Sequence, residues 1–419
     1  MNSSQFILVL IFLSLLVFEV FDFRSNSYSK RNSDTLLSLY SQEEDSTSNI
    51  DLYSSPLLVI YGNIENYWGR YAVKHFITTV NALKEKGWNE YIPRSDTPRD
   101  TWQEMLVNMH QQFDGRVPDV LLFLQDYDLF HPTKFPFPIE FNKTQKICWF
   151  DDTGRNPPEE MGFSLSHASL LLPTYEYLHV RLPSVIDTPR MWMPHSAMSN
   201  FELPFNFEPK RIVLLIGMVS GYPVRELIKS KIDSGDKRLI QFNHPGWQPG
   251  FSITHIDDFA NALHQHLACI MDASPNNFAI AKIFEVAATG SLLLITDDIT
   301  DALFALKLID GVHYISFNRS SLDSTLDFVL DIHNSLKIDT IRANGQKLVH
   351  NHHMTRHRVD AIHDAGLEAF RVKTLLDKGE QSFIDLLKIQ RFPNYKDWAW
   401  KDPRNADFYS GKKSYRRLL

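Results

Sequence analysis

The feature that most constrains this chain is a regular alternation in its second half. The apolar runs 211–216, 238–242, 269–271, 291–296 and 313–317 read as strands buried on both faces. Between them lie helical stretches: one from Pro223, one through Phe259, Leu263 and His266, one over 278–288, and one over 300–308. Five strand–helix units in about 120 residues predict a doubly wound parallel sheet.

The first half repeats the theme less cleanly. Runs 57–61, 120–124, 147–150 and 170–172 read as strands. Trp68, Ala72, Phe76, Val80 and Leu83 mark one face of a helix that stops near Gly87. A chain of 419 residues suits two domains. Pro204 and Pro209 lie in an aperiodic break over 202–210. The reading is therefore an α/β protein with an N-terminal domain over 51–205, a second over 206–365 and a helical tail over 366–419.

The N-terminus carries a thirteen-residue apolar run from Phe6 to Phe18, interrupted only by Ser14. It is short for a spanning helix, which needs about 20 residues, and fits a signal peptide or signal anchor over 1–23. The polar stretch 24–50 reads as a flexible stem. The expectation is a single-pass type II protein of the Golgi or ER membrane with a lumenal body. Arg24, Lys30 and Arg31 follow the run, against the positive-inside rule for that orientation. Asn142 and Asn318 head glycosylation sequons.

A net charge of −7 argues against a nucleic-acid partner, which calls for a basic face. The two cysteines, Cys148 and Cys269, sit singly in apolar runs and read as buried thiols rather than zinc ligands. No G-x-S-x-G elbow or G-x-G-x-x-G turn is present, which removes the usual serine hydrolases and dinucleotide oxidoreductases. His353 and His357 have the i,i+4 spacing of metal ligands, but no H-E-x-x-H accompanies them, and a polar helix start is the simpler reading.

The segment 275–296 carries the chemistry. A short strand leads through Pro275, Asn276 and Asn277 into a helix with Lys282 and Glu285, then to Gly290 and a strongly apolar strand. In open α/β sheets ligands bind beyond the carboxyl ends of the strands. The free N–H groups at the start of this helix favour a phosphate. Lys282 would neutralise a diphosphate there and Glu285 accept from ribose hydroxyls, although a surface lysine and a capping glutamate on an ordinary amphipathic helix fit the same spacing.

The stretch 282–294 resembles the nucleotide-sugar-binding segment of GT-B retaining glycosyltransferases, in the "glycosyl transferases group 1" branch related to spore-maturation proteins. Gly217 and the run Gly221-Tyr222-Pro223-Val224-Arg225 are similar to that branch's glycine loop and Tyr-Pro-x-x-Arg stretch. The Pro194-His195-Ser196-Ala197 and 350–358 stretches resemble its Pro-His-Ala and His-Thr-x-x-x-Arg motifs. The resemblance spans 194–358. It implies two Rossmann-like domains facing across a cleft. It also implies transfer of a sugar from a nucleotide-sugar donor to a glycan, protein or lipid acceptor, retaining and without metal or cofactor. Gly217, Arg225, Lys282, Glu285 and Gly290 would bind the donor, and His195 and Asn277 would act at the sugar. Gly62, Asn63 and Asp151 would line the acceptor side, Asp152 lying next to the last. The chain departs from the pattern at Asn277, where many retaining members carry Glu.

Two alternatives remain. Asp126 and Asp128 form an Asp-x-Asp after a strand, the metal-binding pattern of GT-A enzymes. The Asn277 departure also permits a non-catalytic glycan-binding protein on the same frame.

Overall fold

The computed structural model describes residues 55–61, 74–91, 101–124, 138–150, 164–175, 188, 190–242, 254–273 and 278–377. The chain divides into two units, Met1–Ser55 and Pro56–Leu419. The first lies outside the described residues except for Ser55, so the expected anchor and stem do too. The second unit holds both sheets.

The first sheet contains β1 (Leu58–Tyr61), β2 (Asn89–Tyr91), β3 (Val120–Leu124), β4 (Gln145–Phe150) and β5 (Leu170–Pro173), in the order β2-β1-β3-β4-β5, all parallel. Alternate strand residues feed two core layers. Val59 and Tyr61 pack toward Trp102 and Met105 of α2 (Trp102–Gln112). Leu58 and Ile60 pack toward Phe76 and Leu83 of α1 (Lys74–Glu85). Helices on both faces explain why β1, β3, β5 and the Ile147–Phe150 end of β4 are apolar in succession rather than alternating. The edge strand β2 breaks this pattern with Asn89 exposed and Tyr91 buried, and its sequence carries no strand signal. Thr101 starts α2 with a capping box, its hydroxyl accepting from the Glu104 amide while Glu104 reaches back.

The second sheet contains β6 (Lys210–Leu215), β7 (Leu239–Gln241), β8 (His266–Met271), β9 (Leu292–Thr296) and β10 (Ile315–Phe317). Its order is β10-β9-β8-β6-β7, again all parallel. Read from β7, this is the strand order of the first sheet. Each sheet reverses direction beside its first strand, and in the second that switch lies between β6 and β8. One face packs on α4 (Thr254–Gln265) and α5 (Ala281–Ala288) through Phe259, Leu263, Ile283 and Phe284. The other packs on α3 (Pro223–Asp233), α7 (Leu322–Leu330) and α8 (Ser335–His352) through Ile228, Leu326 and Ile338.

The five expected strands of this half are all present. The expected 278–288 helix begins at Ala281, and the 300–308 segment is a 3-10 turn over Asp297–Ile299 followed by the short α6 (Thr300–Ala305). The last described helix, α9 (Thr355–Asp377), packs Val359, Ile362, Ala365 and Ala369 onto the first sheet's core. Residues 355–365, grouped by sequence with the second domain, thus serve the first. Lys373 reinforces this contact by pairing with Asp119, whose other carboxylate oxygen accepts from the Leu57 amide. Among the described residues no helix is long and apolar enough to cross a membrane.

Candidate nucleotide site and the chain crossings

The carboxyl ends of β6 and β8 flank the switch point. Beyond β6 the chain turns at Gly217, whose φ of 93° lies in the left-handed region that favours glycine. Pro223 occupies the first turn of α3, where its missing N–H costs nothing. Two residues on, Arg225 is 2% exposed. Its Nη1 donates to the Met218 carbonyl at 3.0 Å and its Nη2 to the Asp272 carbonyl at 2.8 Å. Its Nε lies 2.6 Å from Asp272 Oδ1 as an ion pair, and its Cζ sits 4.1 Å from the Tyr222 ring centroid. The sequence reading aimed this guanidinium at a diphosphate. In the structure each of its three nitrogens faces a protein oxygen, Nε as an ion pair, which anchors it between the ends of β6 and β8.

The first turn of α5 enters the same place. Its N-cap is Ile280, which offers no side-chain acceptor to the helix amides. Lys282 is the second helical residue and half-buried, and Glu285 follows one turn later, buried. Burial pushes the Lys282 ammonium down to about 8, opposed by the Glu285 carboxylate and reinforced by the Arg225 charge. A cation and an acid thus lie together at the carboxyl edge, beside an uncapped helix start. This arrangement suits a diphosphate with hydroxyl groups one helical turn away.

Gly290 belongs elsewhere. It follows the C-cap of α5 with φ 75°, and its carbonyl accepts from Arg342 Nε at 2.9 Å. It precedes β9 at the amino edge of the sheet, about 12 Å along the helix from Lys282 at 1.5 Å per residue. A glycine is needed there to end the helix, and the structure sets it at the sheet edge opposite Lys282.

His195 is buried where the halves approach each other. Its Nε2 is 3.3 Å from the Tyr175 hydroxyl, and its ring meets that of His75, on α1, edge-on at 5.0 Å. Tyr175 lies just beyond β5 and stacks on Phe278, just before α5, with centroids 4.1 Å apart. Trp149 and Trp192 steady the approach to it, their indole N–H groups donating to the Thr174 hydroxyl and carbonyl. The carboxyl edges of the two sheets are therefore joined by an aromatic contact next to His195. Sequence reasoning missed Tyr175, Phe278, His75 and Asp272. Asp272 was within reach, because it directly follows a buried strand at the edge where ligands bind.

The two outer motifs prove to be one structure. The Ala197 amide donates to the His353 carbonyl, and the Thr355 amide donates to the Ala197 carbonyl, at 3.0 and 2.8 Å. The Ser196 and Thr355 hydroxyls are 3.2 Å apart. Arg358 donates to the carbonyls of Pro194, His195 and His352 and to His353 Nδ1. His353 in turn bonds the Leu306 carbonyl through Nε2. His353 is the C-cap of α8 and His357 lies in α9, so the two do not share the helix that their spacing suggested. Among the described residues no group of three His, Cys, Asp or Glu is placed to hold a metal ion. Gly62, Asn63, Asp126, Asp128, Asp151, Asp152 and Asn277 lie outside the described residues.

Two parallel sheets of identical order, joined at their carboxyl edges and crossed twice by the chain, define the GT-B architecture. Among solved structures, HepE of Anabaena in complex with UDP and glucose matches at a TM-score of 0.51 and 8% identity, covering 74% of this chain and 99% of HepE. Its complex with UDP-glucose matches at 0.50 and 9%, with the same coverage. A glycosyltransferase from Rickettsia africae ESF-5 gives 0.49 and 13%, covering 76% of this chain and 99% of its own. No protein-family model matches the chain, and no curated protein sequence matches it significantly. At such identities the likeness to HepE establishes the fold alone.

Proposed function

We propose that this protein is a glycosyltransferase that moves a sugar from a nucleotide-sugar donor to a glycan, protein or lipid acceptor, retaining and without a metal. One observation carries the reading: Lys282 and Glu285 enter from an uncapped helix start at the switch point of a parallel sheet. HepE, which shares the fold, binds UDP and UDP-glucose, which supports a uridine nucleotide as the first donor to try. Lys282 and the α5 amides would hold the diphosphate and offset the charge that grows on it as the sugar departs. Glu285 would accept from the ribose. His195 and Asn277 would act at the sugar, and the strand-end loops with Gly62, Asn63 and Asp151 would receive the acceptor. The second sheet has no place in a single-domain GT-A arrangement around Asp126 and Asp128. The apolar run 6–18 supports attachment to the ER or Golgi membrane, with a lumenal body set against the basic residues Arg24, Lys30 and Arg31 that follow it.

Binding of UDP and UDP-glucose to the full chain, with and without EDTA, tests the reading. Binding that survives EDTA and is lost in Glu285→Ala is the expected result. A folded protein that binds no nucleotide sugar would turn the reading toward a glycan-binding protein, and binding abolished by EDTA would move the site toward Asp126 and Asp128.

A further inference from the structure

We propose that Arg225 and Asp272 form a buried positioning pair that shapes the loop after β6 and turns Lys282 toward the diphosphate of a nucleotide, with neither member of the pair touching that ligand. The inference rests on the nucleotide-sugar reading above and assigns roles within its site.

The guanidinium spans the switch point. Met218 follows β6 and Asp272 follows β8, and Arg225 holds a carbonyl of each at 3.0 and 2.8 Å. These bonds turn both carbonyls inward, away from an incoming anion. The Asp272 carboxylate, 2.6 Å from Nε, neutralises the buried cation, so a carboxylate beneath the site does not repel phosphate. Both side chains are at most 8% exposed.

Gly217 makes the arrangement possible. A Cβ there would lie 2.5 Å from Arg225 Nη1 and 3.6 Å from Lys282 Cε. The absent side chain leaves the space that the guanidinium and the end of the Lys282 side chain both approach. Lysine cannot replace such a fork, because a single ammonium does not reach two carbonyls and a carboxylate in one plane.

The sign of one substitution separates positioning from contact. If Arg225 bound phosphate by itself, neutralising Asp272 would remove a nearby negative charge and leave UDP binding unchanged or tighter. If the pair acts as a unit, Asp272→Asn weakens UDP binding. We expect Asp272→Asn and Arg225→Lys each to raise the Kd for UDP tenfold or more. The double variant should be no worse than the weaker-binding single, the mark of residues acting together. Melting of each variant is followed in parallel. A pair with a merely structural role would shift the melting temperature and spare the Kd. UDP affinity that is unchanged or improved in Asp272→Asn overturns the proposal, as does additivity in the double variant. Where Asp272→Asn does not fold, Arg225→Lys carries the test, and unchanged affinity there overturns it too. A wild-type chain that binds none of UDP, GDP and ADP sinks the nucleotide reading and this inference with it. A wild-type chain that binds while Asp272→Asn is silent sinks only the inference.

Discussion

Arg358 Nη2 donates at 2.9 Å both to the carbonyl of His195 and to Nδ1 of His353. The first residue lies where the chain leaves the first sheet, and the second where it returns. One side chain thus ties both crossings between the two halves. Arg358 is 1% exposed, and its Nε and Nη1 hold two further carbonyls. Truncation would strand buried acceptors, each costing about 1–3 kcal/mol. Arg358→Ala is expected to lower stability by about 3 kcal/mol or more in a urea titration. Arg358→Lys recovers little of this, having a single donor head. A loss below about 1 kcal/mol in the Ala variant would contradict the crossing's role.

The same crossing makes the fold acid-sensitive. His353 accepts from Arg358 at Nδ1, so its remaining proton sits on Nε2 and faces the Leu306 carbonyl. Burial, then the Arg358 charge, push its pKa well below 6.5. His357 is pushed to about 4, first by burial and then by Arg356 and Arg358, while its Nδ1 accepts from the Met354 amide. In both cases the unfolded chain takes up the proton first. Stability is therefore full above pH 6.5 and declines as pH falls toward 4. Urea midpoints at pH 7.5, 6 and 5 should decrease in that order, and His357→Gln should flatten the decline. A midpoint independent of pH over this range would refute the assignment of neutral, buried imidazoles.

The sequence exposed what burial makes uniform and hid what depends on distant partners. Runs such as Leu292–Thr296 read as strands because helices cover both faces, so that every position is buried and all but Thr296 are apolar. Asn89–Tyr91 escaped because an edge strand has one neighbour and mixed burial. Lys282 and Glu285 were singled out by their place early in a helix after a buried strand together with the resemblance, and both lie in α5. The fate of Arg225 was not legible, since nothing near it in sequence announces that Asp272 waits at the end of another strand. Gly290 was named for donor binding, and the helix cap it forms asks for the same residue. The Pro-His-Ser-Ala and 350–358 stretches stood out separately, but only the fold brings Ala197 against Met354.

Lys282 gives the candidate site a pH signature. Its ammonium is held near 8, chiefly by burial. The charged form is the one that bonds phosphate, so UDP affinity should be high below pH 8 and fall as pH rises through it. A charge-assisted hydrogen bond is worth roughly 1.5–3 kcal/mol, so Lys282→Ala should weaken UDP about tenfold or more and remove the alkaline decline. Calorimetric titration at pH 6.5, 7.5 and 8.5 reads both effects. A decline of equal slope in Lys282→Ala would assign it to another group.

Glycines at the loop's two ends separate strain from obstruction. Gly217 and Gly221 both have positive φ, 93° and 81°. An alanine at either pays for a conformation that L residues rarely adopt, about 1–2 kcal/mol. At Gly221 nothing lies within 4 Å of the new methyl, so the cost ends there. At Gly217 the methyl would sit 2.5 Å from Arg225 Nη1, and the guanidinium is fixed by Met218 and Asp272 and cannot simply swing away. Gly217→Ala must therefore displace the loop or break the Arg225–Asp272 pair. Gly221→Ala is expected to lower stability modestly and keep UDP affinity within about twofold, since backbone strain alone does not move Lys282. Gly217→Ala should cost more stability and weaken UDP in parallel. Equal Kd values for the two variants would mean that the space beneath Gly217 has no part in holding the nucleotide.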